Sequence, residues 1–288
     1  MADEPADNAL SPAKPAAELR EDVADCEELA PVLSIVIPVY NEICTIGRIL
    51  VEVANALPEV PKQIVIVDDR SSDGTSDWLR KNLGGIKGSW RGLSLSSGGD
   101  LELSSDGPRN HATVSFSILY HDRNRGKGAA VRTGLTSARG DVVVIQDADP
   151  EYDPNDWSRM LPLIVERKVA DVVYGSRFYG RPHRSLYFHH YLGNRLISLL
   201  FNLLYNQMLS DIEVCYKMFT REVLDHLQLT SDDFGFEIEI SAQIARARRW
   251  RIYEVGISYY GRTYNEGKKI DWLDGLKALM YLFKFRIR

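Results

Sequence analysis

The chain has 288 residues, enough for one large α/β domain with a full core, and its 44% hydrophobic and 26% charged content is that of an ordinary globular protein. Cys26, Cys44 and Cys215 stand far apart, which excludes a disulfide framework and a paired-cysteine zinc site and points to a reducing compartment. The formal charge of −5 is polarised: residues 1–30 hold nine acids against Lys14 and Arg20, whereas residues 243–288 hold eleven Lys/Arg against four acids, a basic end suited to a phosphate-bearing ligand, a membrane surface or plain solvation.

Residues 1–30, rich in Ala, Pro, Asp and Glu, read as a disordered acidic arm that lacks the apolar core of a signal peptide. One domain is expected over 31–288. It begins with a strand over 33–38 and a helix over 43–57 that carries Ile46, Ile49, Leu50 and Val53 at helical spacing. A second strand over 63–67 runs into a polar cluster, 68–75, which ends the strand and caps a helix bearing Trp78 and Leu79. Residues 84–113 turn Gly- and Ser-rich and read as an inserted surface loop with a short hairpin around 101–103.

Order resumes with a strand over 115–120, a helix entry over 124–134 and an apolar strand from Val142 that ends in Asp147, Asp149 and Glu151, with Pro150 preventing its continuation. A strand over 171–175 leads to Ser176 and Arg177. A helix over 192–207, a mixed segment to 229, a helix over 236–248, a strand over 253–259 and a helix over 272–285 complete the chain. The alternation predicts a mostly parallel sheet with helices on both faces. Leu192, Leu196, Leu199, Leu200 and Leu203 form one stripe, for which core packing is the expectation and interfacial membrane contact the alternative, as for 281–288. No apolar run approaches the ~20 residues that span a bilayer, so a soluble or peripheral protein is expected.

Several chemistries fail on spacing. Gly126, Lys127 and Gly128 lack the flanking residues of a P-loop, no dinucleotide fingerprint follows the first strand, and there is neither a nucleophile elbow nor a metal-spaced histidine pair. Three strand-end signatures remain: 38–42, 68–75 and 147–151. Open α/β sheets bind ligands beyond the carboxyl ends of their strands, so the three converge on one edge. The close-set oxygens of Asp147, Asp149 and Glu151 suit a hard cation such as Mg²⁺ or Mn²⁺ holding a diphosphate.

On these motifs the sequence resembles family 2 glycosyltransferases of the GT-A (Rossmann-like) fold, and within them the dolichyl- or polyprenyl-phosphate hexose synthases, over about residues 33–288. The resemblance implies that Pro38, Tyr40, Asn41 and Glu42 open the nucleotide site and that Asp68 and Asp69 contact the nucleobase. Lys127 and Ala148 would join them. Asp147 and Asp149 become metal ligands with Glu151 as a third. Arg177 and Arg195 reach the donor diphosphate and acceptor phosphate, Arg262 and Lys268 belong to a basic loop that closes over the donor, and 211–217 lies on the acceptor side. The implied catalytic set is Asp149, Arg177, Arg195 and Lys268.

The implied reaction is metal-dependent, inverting transfer of a hexose from UDP-glucose or GDP-mannose to a polyprenyl phosphate at the cytoplasmic membrane face, with contact made peripherally or through a membrane partner and no nucleic acid involved. A saccharide or other hydroxyl acceptor is the alternative. It would need a carboxylate base, for which Asp211, Glu213, Asp233 and Glu237 are available. The sequence departs from the resemblance in the 84–113 insertion and in lacking the C-terminal transmembrane helices of many such enzymes.

Overall fold

The computed structural model describes residues 32–287, leaving out 87, 106–110, 186, 264, 265 and 267–271, so the expectations for the acidic arm and for Lys268 lie outside the described residues. The first half runs β1 (Leu33–Val39), α1 (Ile46–Asn55), β2 (Lys62–Asp68), α2 (Thr75–Leu83), β3 (Ser89–Trp90), β4 (Gly92–Leu95), β5 (Leu101–Ser104), β6 (Val114–Tyr120), α3 (Lys127–Ser137) and β7 (Val142–Ile145). The second half runs α4 (Trp157–Ile164), β8 (Val172–Ser176), α5 (Phe188–Tyr205), β9 (Lys217–Thr220), α6 (Arg221–His226), α7 (Phe236–Ala247), β10 (Ile252–Gly256) and α8 (Trp272–Ile287).

Eight strands form one sheet in the order β10-β8-β9-β7-β1-β2-β6-β3. Every residue of β1, β2, β7 and β8 is buried, as expected of strands covered by helices on both faces. The register sets the position of the site. Val39 pairs with Asp68 and Asp68 with Tyr120, so β1, β2 and β6 end flush. Ile145 pairs with Val36, so β7 stops three residues short and leaves Gln146 to Asp149 to turn across the sheet edge.

Two elements depart from the expectation of a simple βα alternation. β9, inside the mixed segment, runs antiparallel between β7 and β8. Residues 84–113 are partly built into the fold: β3 extends the sheet antiparallel to β6, and β4 and β5 form a hairpin over α1 and α2. That hairpin is held by Trp78 Nε1 donating to Gly99 O at 3.2 Å and by Lys81 with Asp100 at 2.7 Å.

The leucine stripe of α5 does not pack into the core. Its buried face is Ile197, Ser198, Phe201 and Tyr205, which meet α7 and α8, while Leu192, Leu196, Leu199 and Leu203 are exposed and Leu200 is half-buried. No helix among the described residues is long and apolar enough to cross a membrane.

Candidate active site

The loops after β1 and β2 are bolted to each other. Asn41, at φ 55°, accepts Ser72 N at 2.7 Å through its side chain and donates its own N–H to Ser71 Oγ at 2.9 Å. Asp68 accepts from Ser71 N and Ser76 Oγ. Asp69 is buried and accepts Arg125 N and Gly126 N, each at 2.8 Å, while His121 Nδ1 lies 2.6 Å from it. These oxygens thus fix the entry to α3. Gly126 is required there, because its φ is +95° and a Cβ would stand 2.3 Å from Asp232 O.

That entry aims Lys127 at the loop after β7. Lys127 Nζ lies 2.7 Å from Asp147 Oδ1, and Cys215 Sγ donates to the same oxygen at 3.0 Å. Burial disfavours the charged form of Asp147, but Lys127 overrides it and holds the carboxyl below its ordinary value. Asp149 differs: burial, then the like charges of Asp147 and Glu151, push it up to about 7 against the opposing pull of Arg262.

Arg262 reaches across from beyond β10 into this acidic group. Its Nη2 contacts Asp149 Oδ2, its Nη1 and Nε each lie 3.5 Å from Glu42 and Glu151, and its backbone N–H donates to Glu151 at 2.7 Å. Both acids of the Asp-x-Asp pair are therefore paired with cations of the chain, Asp147 with Lys127 and Asp149 with Arg262. Among the described residues no group of three His, Cys, Asp or Glu side chains stands in metal-holding geometry. The donors themselves, carboxylate oxygens on one short loop, are those a hard divalent cation takes, and Arg262 occupies one of the two Asp149 oxygens.

Behind β7 the antiparallel β9 delivers the 211–217 segment, and nearly every polar side chain in it has a partner. Asp211 is fully buried and holds Arg177 bidentately at 2.6 and 2.7 Å. Tyr216 Oη donates to Gln146, and Lys217 Nζ donates to Glu237. Asp233 accepts Tyr281 Oη at 2.8 Å. Of the four candidate bases only Glu213 makes no hydrogen bond among the described residues. It faces the cavity, and burial pushes it up to about 7, with Arg177 opposing.

One cavity of about 1080 Å³ joins these parts. Pro38, Tyr40, Glu42, Asp69, Lys127, Asp147, Ala148, Asp149, Glu151, Arg177 and Arg262 line it. Asn41, Asp68 and Arg195 are not among its lining residues; Arg195 is exposed on α5, donating to Ser210 O at 3.3 Å. Tyr187, just before α5, Phe188 and Tyr191 on α5, and Tyr281 on α8 add an aromatic part to the wall. Sequence reasoning missed His183 and Arg184 in this wall; Arg184 donates to Glu266 at 2.7 Å. The basic run from Arg181 to Arg184 was the available signal.

The family model for glycosyl transferase family 2 matches residues 34–90 and 110–228. The undecaprenyl-phosphate mannosyltransferase of Micrococcus luteus is 28% identical over 243 residues, covering 81% of this chain and 85% of that protein. Glycosyltransferase AglJ of Haloferax volcanii is 31% identical over 169 residues, 58% of this chain and 55% of AglJ, so the match spans little more than half of that relative. The dolichyl-phosphate β-glucosyltransferase of Dictyostelium discoideum is 24% identical, covering 83% of this chain and 68% of that protein. Among solved structures, glucosyl-3-phosphoglycerate synthase from Mycobacterium tuberculosis, in complex with Mn²⁺, UDP and phosphoglyceric acid, superposes with a TM-score of 0.59 at 17% identity, covering 96% of this chain and 84% of that one. The fold is GT-A. The chain is a glycosyltransferase and belongs to glycosyl transferase family 2.

Proposed function

We propose that the protein transfers a hexose, with inversion, from a nucleotide diphospho-sugar to a polyprenyl phosphate, using Mg²⁺ or Mn²⁺. The observation that carries this reading is one cavity lined both by the Asp147–Asp149–Glu151 group and by aromatic side chains of α5 and α8. Relatives named for undecaprenyl and dolichyl phosphate support the acceptor class, and neighbours crystallised with Mn²⁺ or Mg²⁺ and UDP support the cation and the donor class. UDP-glucose is the preferred donor, with GDP-mannose next.

Asp147, Asp149 and Glu151 would hold the cation, whose chemistry is to neutralise the departing diphosphate. Pro38, Tyr40, Glu42 and Ala148 line the nucleotide end. Arg262, released from Asp149, carries its charge to the donor diphosphate, and Lys268 is assigned the same role. Arg177, oriented by Asp211, fixes an anion against the cavity wall. An oxygen of the acceptor phosphate attacks the anomeric carbon, and the bond from that carbon to the diphosphate oxygen breaks with its electron pair leaving on the nucleotide. Such an acceptor is already ionised at neutral pH and needs positioning rather than a base. Arg195, outside the cavity, is assigned to the approach of the acceptor phosphate rather than to its bound state.

Glu213 favours a second reading, transfer to a hydroxyl acceptor, because an unbonded carboxyl near neutrality facing the cavity suits a general base. The test incubates labelled UDP-glucose and GDP-mannose with a short polyprenyl phosphate, Mg²⁺ or Mn²⁺, and an EDTA control. EDTA-sensitive label in the organic phase supports the first reading and identifies the donor. Donor hydrolysis without organic label would contradict it and favour the second.

A further inference from the structure

Among the described residues, a run of exposed apolar side chains lies on helices that also line the cavity. On α5 the exposed Phe188, Leu192, Leu196, Leu199 and Leu203 follow one another every three or four residues, so they form a single stripe along the helix. Leu199 is 54% and Leu203 73% exposed, and Met208, just past the helix, is 93% exposed. α8 packs against α5, with Tyr205 Oη donating to Leu282 O at 3.0 Å, and it repeats the pattern with Met280, Phe283 and Ile287 at 65%, 52% and 87%. Rows of exposed large apolar side chains on two packed helices are uncommon on a purely solvated face and mark an interaction surface.

Charge points to the occupant. Residues 172–210 contain no acid, while they hold four arginines and three histidines, in a chain of net charge −5. Arg195 on α5 and Lys284 and Arg286 on α8 are exposed. The two helices are also cavity walls: Tyr187 and Phe188 at the start of α5, and Ala278 and Tyr281 on α8, line it. A basic, aromatic-edged apolar face that continues into a cavity is the chemistry of an interfacial helix pair. We infer that α5 and α8 form the face by which the protein lies on an anionic phospholipid bilayer, with the mouth of the cavity turned to the headgroups. This rests on the polyprenyl-phosphate reading, since a lipid acceptor would then enter from the bilayer between the two helices without leaving its surface.

The test floats the full-length protein with phosphatidylcholine vesicles, with and without phosphatidylglycerol, none of them containing polyprenyl phosphate. Wild type is expected to float with the phosphatidylglycerol vesicles, less so at high salt. Leu199→Glu/Leu203→Glu is expected to bind about tenfold more weakly. The uncharged Leu199→Ser/Leu203→Ser variant should also weaken binding, which separates lost apolar contact from charge repulsion; thermal melts of both variants at the wild-type temperature show an intact fold. Wild type that stays unbound, or variants that float equally well, would overturn the inference. A wild-type dimer that both variants render monomeric would assign the face to a second copy and overturn it too. Transfer to a water-dispersed short-chain acceptor tells the two readings apart. Transfer without vesicle binding removes only the docking face, and vesicle binding without transfer removes only the acceptor.

Discussion

Arg262 and Lys127 supply the countercharge that the Asp147–Asp149 pair would otherwise draw from a divalent cation. Competition follows directly. Arg262→Gln is expected to raise Mn²⁺ affinity in the absence of donor, read by electron paramagnetic resonance of free Mn²⁺, while lowering transfer because the donor loses a cation. Unchanged or weaker Mn²⁺ binding would show that Arg262 does not guard the site. Asp149→Ala is expected to abolish Mn²⁺ binding and cut transfer by about 10²–10³-fold, with the circular-dichroism spectrum unchanged. Glu213 carries a pH dependence. Its folded-state value is raised to about 7 from 4.5, so the folded protein holds a proton that the unfolded chain has released, and stability falls as pH rises through that window. Melting temperatures of Glu213→Gln and wild type should therefore diverge between about pH 4.5 and 7, with the variant the flatter of the two. The acids themselves were legible in the sequence, because three strand ends each run into a polar segment, one carrying Glu42 alone and two carrying carboxylate clusters. Their partners were not: Arg262 lies 113 residues from Asp149, and nothing local announces the pairing.

β9 is the element on which the back of the site depends. It inserts antiparallel between two parallel strands and brings Asp211 to Arg177, Cys215 to Asp147 and Lys217 to Glu237. Lys217 and Glu237 are buried together, so Lys217→Met strands an acid and is expected to cost about 3–5 kcal/mol in denaturant unfolding. Lys217→Met/Glu237→Gln should recover most of that loss; failure to do so would mean that lost packing, not the orphaned charge, sets the cost. The long apolar strands β1 and β2 were legible because both faces are buried and they read as continuous hydrophobic runs. β9 has only four residues, one of them a lysine, and its direction is decided by neighbours far away in sequence. α5 shows a different limit. Helical spacing gathers its leucines into a stripe, but which side is covered depends on α7 and α8, and the covered side is the one with Ile197, Phe201 and Tyr205.

Across the whole molecule, charge is unevenly distributed, with nine acids in residues 1–30, none in 172–210 and a basic C-terminal helix, a pattern that accords with the proposed lipid-facing side of α5 and α8. Removing residues 1–30 is expected to leave transfer within about twofold, since an acidic arm contributes no countercharge to a diphosphate; a large loss would give the arm a part in the reaction. The central claim is that the attacking atom is a phosphate oxygen. Phosphorus NMR of a reaction containing UDP-glucose, the cation and a polyprenyl phosphate tests it most directly. The acceptor phosphomonoester signal should convert to that of a phosphodiester as UDP accumulates. A monoester signal that persists while UDP accumulates and the sugar appears on a hydroxyl would contradict it.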